Sequence, residues 1–399
     1  MTQLRWTTAG ESHGMALVGI VEGLPAGLAL DLDRVNAELA RRQQGYGRGG
    51  RMRIETDTIE LLSGVRAGKT LGSPLAFTIQ NKDQTIERLP VPTNPRPGHA
   101  DLAGCFKLGE RDPRAVLERA SARETATRVA CGALARQVLE HFGIDVFAHV
   151  VELGGVATRG EERARVLALP RADRDAVRAS SAFFALDAVA EPALTAVVDR
   201  AKEAGDTLGG VFEVVATGLP PGLGSYHSGP ERLTARLGGA LFSIPAMKGV
   251  EFGLGFESAR RPGSQVHDAI LGAPSAEAGG QASSSGGSGP LGTRYRRATN
   301  HAGGLEGGMT TGEPLILRVA MKPIPTLRRG LPTVEFETLE EVQATYQRSD
   351  VTSVPAASVV GEALTALVLT QVFLERFGGD ALEQVEGAWR AAAERARAL

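Results

Sequence analysis

Two histidines and a set of arginines are the residues in this sequence best suited to moving protons and holding anions. His13 follows Ser12 in GESHG, Gly10 to Gly14. That segment matches G-x-S-x-G, which in a hydrolase sets a nucleophilic serine on a turn between a strand and a helix. Here only nine residues precede Gly10 and a strand-like MALVGIVEGL follows, so the context is wrong. Adjacent Ser12 and His13 also cannot act as nucleophile and base for each other without strain. A plain turn of small polar residues is the alternative. QQGYGRGGRMR, Gln43 to Arg53, holds G-x-G-x-x-G at Gly45, Gly47 and Gly50. It follows a helical stretch, whereas a dinucleotide fingerprint follows a strand and opens a helix. It reads better as a glycine-rich loop whose amides, with Arg42, Arg48, Arg51 and Arg53, surround an anion. Solvated arginines are the plainer alternative. NPRPGHAD places Arg96 and His99 on a proline-stiffened loop before Asp101. A near-neutral imidazole suits proton transfer, although a lone histidine is more often structural. In RASARET, Arg119 and Arg123 share one face of a regular helix and Ser121 lies near the other, so the helix must break if Ser121 is to act with them. Lys322 to Thr326 (KPIPT) and Arg348-Ser349-Asp350 add cations and a carboxylate; alone, each is an ordinary turn.

The elements that must position these residues come from 399 residues that are 42% hydrophobic and 23% charged, enough apolar material for a large core. A net charge of −2 excludes binding of nucleic acid or anionic membranes through bulk charge, and a single embedded RGG element does not make an RNA-binding tail. The opening MTQLRWTTAGESHG has no apolar leader segment, and no later stretch reads as a membrane span; the expectation is a cytoplasmic protein that is neither secreted nor membrane-spanning. Cys105 and Cys131 lack the companions of a metal site and are expected to be reduced packing residues. Fifty glycines imply many tight turns or close approaches to a ligand.

A weak duplication runs through the chain. GLPAGL (Gly23 to Leu28) and GLPPGL (Gly218 to Leu223) each follow a β-rich run and precede a helical pattern, DRVNAELARRQ from Asp33 and ERLTARLGGAL from Glu231. Long apolar helices follow Arg119 and Arg348, each ending in Phe-Gly. For the first, Asp112-Pro113 is the expected start and Gly143 the stop; the second is expected to end at Gly378. VGIVEGL, GVFEVVATGL and LILRVAMKPI alternate like antiparallel strands with one solvated face. The expectation is one α+β domain over 1–399, a helical core between antiparallel sheets, with pseudo-repeated halves at about 1–150 and 205–380. Residues 272–292, rich in Gly and Ser, are expected to be a flexible loop, either a surface loop or a lid over a ligand, and the stretch from Ala381 a solvated helix.

GESHG, GYGRGGRM, RPGHAD, RASARETA, NHAGGLEGG, MKPIPT and QRSD, in this order and spacing, resemble chorismate synthases over nearly the whole chain. The resemblance implies a lyase that eliminates phosphate from 5-enolpyruvylshikimate 3-phosphate in an anti-1,4 sense and requires reduced FMN. It implies that His13 is the acid toward the leaving phosphate, that His99 meets the charge on the reduced flavin, and that Asp350 exchanges a proton near flavin N5. Substrate contacts carried over are Ser12, His13, Arg42, Arg51, Arg96, Ser121, Arg123 and Arg348. Flavin contacts are Arg119, Ala120, Ser121, Pro245, Ala246, Gly307, Lys322, Pro323, Ile324, Pro325, Thr326 and Arg348. Many relatives have Asn or Gln where Pro245 stands, so only a backbone contact is open to it. Arg42 and Arg48 match positions associated with NADP; FAD is a further nucleotide linked to the family. NADPH is expected only indirectly, to reduce the flavin through an external reductase, and the family usually forms homotetramers. A flavin-binding protein without lyase activity would not need His13, His99 and Asp350, and no inserted module for self-sufficient NADPH oxidation is visible.

Overall fold

Apolar periodicity and the lack of charge in two long stretches decide where the core lies. The computed structural model describes residues 3–49, 56–272, 294–346 and 350–399. Helix α1 (Leu32–Gln43) starts at Asp31, whose carboxylate accepts a hydrogen bond from Arg34 N, and it buries Val35 and Leu39. The short helices α2 (Asp101–Leu108) and α3 (Arg114–Arg119) lead into the long α4 (Thr125–His141). Three helices follow between residues 160 and 203: α5 (Gly160–Leu167), α6 (Arg171–Ser180) and α7 (Glu191–Glu203). Beyond them lie α8 (Leu233–Phe242), α9 (Val354–Phe377) and α10 (Leu382–Ala398).

Two antiparallel sheets enclose the central pair α4 and α9. The first has the order β1-β2-β4-β3, from Arg5–Ala9 (β1), Ala16–Glu22 (β2), Glu60–Leu61 (β3) and Leu75–Gln80 (β4). The second has the order β8-β9-β7-β5-β6, from Asp145–Leu153 (β5), Val156–Ala157 (β6), Gly210–Thr217 (β7), Met247–Phe252 (β8) and Leu315–Met321 (β9). α4 packs on β2, and α9 packs on β5 and β7, so one core runs from Leu17 and Phe77 through Leu134 and Leu367 to Phe212 and Leu317. This is the α+β sandwich expected from the sequence. The helices touch closely: a Cβ on Gly132 would lie 2.4 Å from the carbonyl oxygen of Ala363, so only glycine fits at that crossing.

The two GLPxGL turns are held by the same hydrogen bonds. Gly27 N and Leu28 N donate to Thr70 O and Oγ1 (2.9 and 3.0 Å), while Thr70 Oγ1 donates to Pro25 O (2.6 Å). Gly222 N and Leu223 N donate in the same way to Thr310 (2.7 and 2.8 Å), whose hydroxyl reaches Pro220 O (2.6 Å).

Four expectations need correction or narrowing. β7 has no solvated face: Phe212 and Val214 face the central helices, while Glu213 is buried on the other side, where Arg163 of α5 comes within 3.6 Å. The helix from Ala381 is not wholly solvated, because Trp389 packs on Phe142, Phe373 and Phe377. Asp112-Pro113 begins the separate helix α3 rather than α4, with Asp112 accepting from Arg114 N. Of the segment 272–292, Gly272 closes a short strand and the rest lies outside the described residues.

α9 is long and apolar enough to cross a bilayer by composition, but 94% of its apolar window is buried within this fold. Its buried acidic residue, Glu362, is 1% exposed and meets Arg41 (2.6 Å), Arg136 (2.5 Å), Arg178 (3.1 Å) and Ala148 N (2.7 Å). Burial alone raises a carboxyl's pKa; here the three guanidiniums overcome it and hold Glu362 far below the usual carboxylate range. The cluster ties α1, α4, α6, α9 and β5 at one point.

Candidate active site

The loop Gly10 to Gly14 joins β1 to β2 and turns sharply at Gly10 (φ +107°), where a Cβ would meet Ala16 O at 2.5 Å. This turn sets Ser12 and His13 against the end of α3. There the helix breaks: Ser121 is extended (φ −66°, ψ 145°), a 3₁₀ turn covers Ala122–Glu124, and α4 begins at Thr125. The break answers the geometric condition set by Ser121, whose Oγ lies 3.2 Å from Ser12 Oγ. It also separates the two arginines that a continuous helix would align. Arg119 donates to Gly10 O and Thr8 O (3.0 and 2.9 Å), whereas Arg123 turns to Asp57 (2.6 and 2.7 Å) and Asn81 (2.8 Å).

These groups open onto a cavity of about 970 Å³. That is the upper end of the range for small-molecule sites, with room for more than one ligand. Ser12, His13, Arg96, His99, Arg119 and Ser121 line it, as do Arg42, Arg48, Ala120 and Arg123. Pro245, Ala246, Ile324 and Pro325 form an apolar wall with Ala356 and Val360 of α9, and Lys322, Thr326 and Asp350 complete the polar rim. Ala246 takes a left-handed φ of +73°, uncommon for a residue with a Cβ, and its carbonyl accepts from Lys322 N (3.0 Å).

Two positions carried over by resemblance do not reach the cavity. Gly307 sits in the tight hairpin between Leu305–Glu306 and Met309–Thr310, beside the start of α8. Pro323 is turned toward Gly209, to whose Cβ position its Cδ lies within 3.0 Å. Arg51 and Arg348 lie outside the described residues.

The glycine-rich loop is clasped to the segment before α9. Gly49 N donates to Asp350 Oδ1 (2.6 Å), Arg48 pairs with Asp350 Oδ2 (2.9 Å), and Val351 N donates to Gly47 O (2.8 Å). Arg42 projects from the last turn of α1, 4% exposed, with Asp57 Oδ2 3.4 Å away. Burial, together with Arg123 and Arg48 nearby, brings its guanidinium down to about 10 against the pull of Asp57. Among the described residues its Nε has no hydrogen-bond partner. Burial likewise lowers Arg48 and, with Lys248 near it, Lys322. A site that strains its own cations in this way is stabilised by an incoming polyanion.

Each cavity histidine has Nδ1 held by a buried carboxylate that also binds an arginine. His13 Nδ1 is 2.8 Å from Glu118, which pairs with Arg114 at 3.1 Å. His99 Nδ1 is 2.5 Å from Asp101, which pairs with Arg96 at 2.8 Å. Burial raises both carboxyls, but the hydrogen bonds from the histidines and arginines outweigh it and hold Asp101 and Glu118 below the usual range. Asp57, Asn81 and Glu118 did not stand out in the sequence. Their partners in the site, Arg123 for the first two and His13 for Glu118, are 66, 42 and 105 residues away, beyond any local spacing.

A family model described as chorismate synthase matches residues 4–374. The chain belongs to the chorismate synthase family. It is 51% identical over 394 residues to the chorismate synthase of Trichlorobacter lovleyi, covering 96% of each chain. It is 49% identical over 398 residues to that of Alkaliphilus metalliredigens, covering 97% of this chain and 98% of the relative. A solved structure titled "Crystal Structure of Chorismate Synthase" superposes with a TM-score of 0.79 at 40% identity, covering 100% of this chain and 99% of the other. Chorismate synthases are lyases of aromatic amino-acid biosynthesis, and the cavity just described is where this fold brings His13 and His99 together with Arg42, Arg48, Arg96, Arg119 and Arg123.

Proposed function

We propose that this chain eliminates phosphate from 5-enolpyruvylshikimate 3-phosphate to give chorismate, using reduced FMN. The observation that carries the reading is a single cavity holding His13 and His99, each anchored at Nδ1, together with Arg42, Arg48, Arg96, Arg119 and Arg123. A substrate with one phosphate and two carboxylates needs several guanidiniums, because a buried unpaired charge costs several kcal/mol. The unpartnered Nε of Arg42 and its lowered pKa fit a group that waits for such an anion.

In the elimination the C–O bond breaks with its electron pair leaving on phosphate, a ring proton departs, and a second double bond forms, so there is no net oxidation. His13 donates a proton from Nε2 to the phosphate while Glu118 holds Nδ1. Ser12 and Ser121 orient the substrate beside it. The apolar wall of Pro245, Ala246, Ile324 and Pro325 would hold the flat isoalloxazine, and Lys322 and Arg119 line the same cavity. Pro245 is limited to a backbone contact. The chemistry that reduced flavin would supply when bound there is a transient electron for the breaking bond, returned as the ring proton departs. His99, fixed by Asp101, would hold a proton toward the reduced ring, and Asp350, oriented by Arg48 and Gly49 N, would exchange one with it.

NADPH enters only through an external reductase, and the working form is a cytoplasmic homotetramer. Anaerobic mixing with substrate and dithionite-reduced FMN should release chorismate and phosphate in equal amounts, and none with oxidised FMN. No product from folded protein that binds FMN would reduce the reading to flavin binding alone.

A further inference from the structure

Glu118 was not marked by any motif, yet it makes every direct contact that fixes His13 from α3. Its Oε2 accepts from both His13 N (3.1 Å) and His13 Nδ1 (2.8 Å), and its own carbonyl accepts from Ser12 N (3.1 Å). Its Oε1 accepts from Arg114 Nη1 (3.1 Å), one helical turn earlier. The side chain is 1% exposed, so neither oxygen is free to rotate toward water. On the other side of the ring, Asp83, after β4, stands 3.9 Å from Nε2 with a side chain 42% exposed. Glu11 belongs to the same loop and packs near Gly14.

We propose that Glu118 is a positioning residue that fixes His13 as the Nδ1–H tautomer and thereby makes Nε2, at the cavity, the atom that carries the transferable proton. The chemistry follows from the acceptor count. An ionised carboxylate has only acceptors, so Nδ1 must keep its hydrogen whether the ring is neutral or charged. The proton that comes and goes is then the one on Nε2. Arg114 and the two His13 hydrogen bonds keep the Glu118 carboxyl below its usual range despite burial, so it stays an acceptor at working pH. The backbone bond to His13 N adds orientation: one carboxylate oxygen fixes both the main chain and the ring. The proposal rests on the assignment of His13 as the acid of the elimination.

Two experiments test it, and the first does not depend on turnover. Nitrogen-15 NMR of histidine-labelled wild-type protein, with His13 assigned from a His13→Gln sample, should show neutral His13 protonated at Nδ1 and bare at Nε2. Glu118→Ala should admit the opposite tautomer. A wild-type ring protonated at Nε2 would overturn the proposal, whatever the activity. The second compares pH profiles of kcat/KM. Glu118→Gln keeps an acceptor but loses the charge that stabilises imidazolium. Since activity needs the protonated ring and fades as pH rises, the alkaline limb should move down by about one pH unit. The loss should therefore grow as pH rises. An unmoved limb, or an equal loss at every pH, would overturn it. Absence of turnover in wild type would instead remove the elimination reading and leave the NMR result to decide the tautomer.

Discussion

Replacing Asp57 by Asn should weaken the empty protein and spare the occupied one. Asp57 is 3% exposed and sits between Arg123, at 2.6 and 2.7 Å, and Arg42, at 3.4 Å, both buried. Asparagine keeps the shape and removes the negative charge that the two guanidiniums share. Breaking a buried pair in this way costs about 3 kcal/mol at the lower end of the measured range. For 399 residues at about 2.1 cal/mol/K per residue, the unfolding entropy is roughly 0.84 kcal/mol/K. The melting temperature should therefore fall by about 4 °C. A polyanion in the cavity supplies the missing charge, so saturating substrate should raise the melting temperature of Asp57→Asn more than that of wild type and close most of the gap. Scanning calorimetry with and without 5-enolpyruvylshikimate 3-phosphate reads both quantities. Equal ligand-induced shifts in the two proteins would refute the idea that Asp57 holds the place of substrate charge; an unchanged melting temperature without ligand would refute the energetic argument itself.

The remaining predictions concern the histidines, the ionic cluster and acid stability. His13→Ala and His99→Ala should each lower turnover by about 10²-fold or more while FMN binding, followed by flavin fluorescence, is retained; wild-type rates would remove their catalytic assignment. Glu362→Gln leaves Arg41, Arg136 and Arg178 without their common carboxylate and should destabilise by about 3–5 kcal/mol in denaturant titration, while Gln at the exposed Glu383 should change little. Asp187 accepts from the Arg159 side chain and from Arg159 N and Val189 N, and it is lowered to about 2. A depressed carboxyl contributes stability above its unfolded pKa of about 3.9 and loses it as pH falls toward the folded value. Wild type and Asp187→Asn should differ most above pH 4 and converge near pH 2, as read by unfolding at each pH.

Much of the sandwich was legible because long apolar runs tolerate few alternatives. The stretches that became α4 and α9 carry so little charge that only a central position suits them. The break at Ser121 was legible as a condition, since Ser121 cannot join Arg119 and Arg123 from the far side of a continuous helix. Glu118 and Asp57 were not legible. Each is one acidic residue among 46 Asp and Glu, and each draws its meaning from a partner on another element. The doubly buried face of β7 was hidden for a similar reason. Glu213 reads as a solvent-facing residue until His149 (3.1 Å) and Arg163 (3.6 Å) are brought to it by β5 and α5. Gly307, transferred along a matching motif, sits in a hairpin away from the cavity of the single chain.

The order in which the layers are synthesised gives α9 a further consequence. Every strand of both sheets, through Met321, is made before Val354, yet the helix that lies between the sheets comes after them. Until it emerges, the inner faces of the two sheets have α4 but not its partner, and the apolar surface around Phe212 and Leu317 has no cover. N-terminal elements therefore cannot complete their packing while the chain is being made. Closure of the core and assembly of the cavity wall, to which Ala356 and Val360 belong, become one event late in folding. A chain that ends before α9 would keep this apolar surface open instead of folding as a smaller protein.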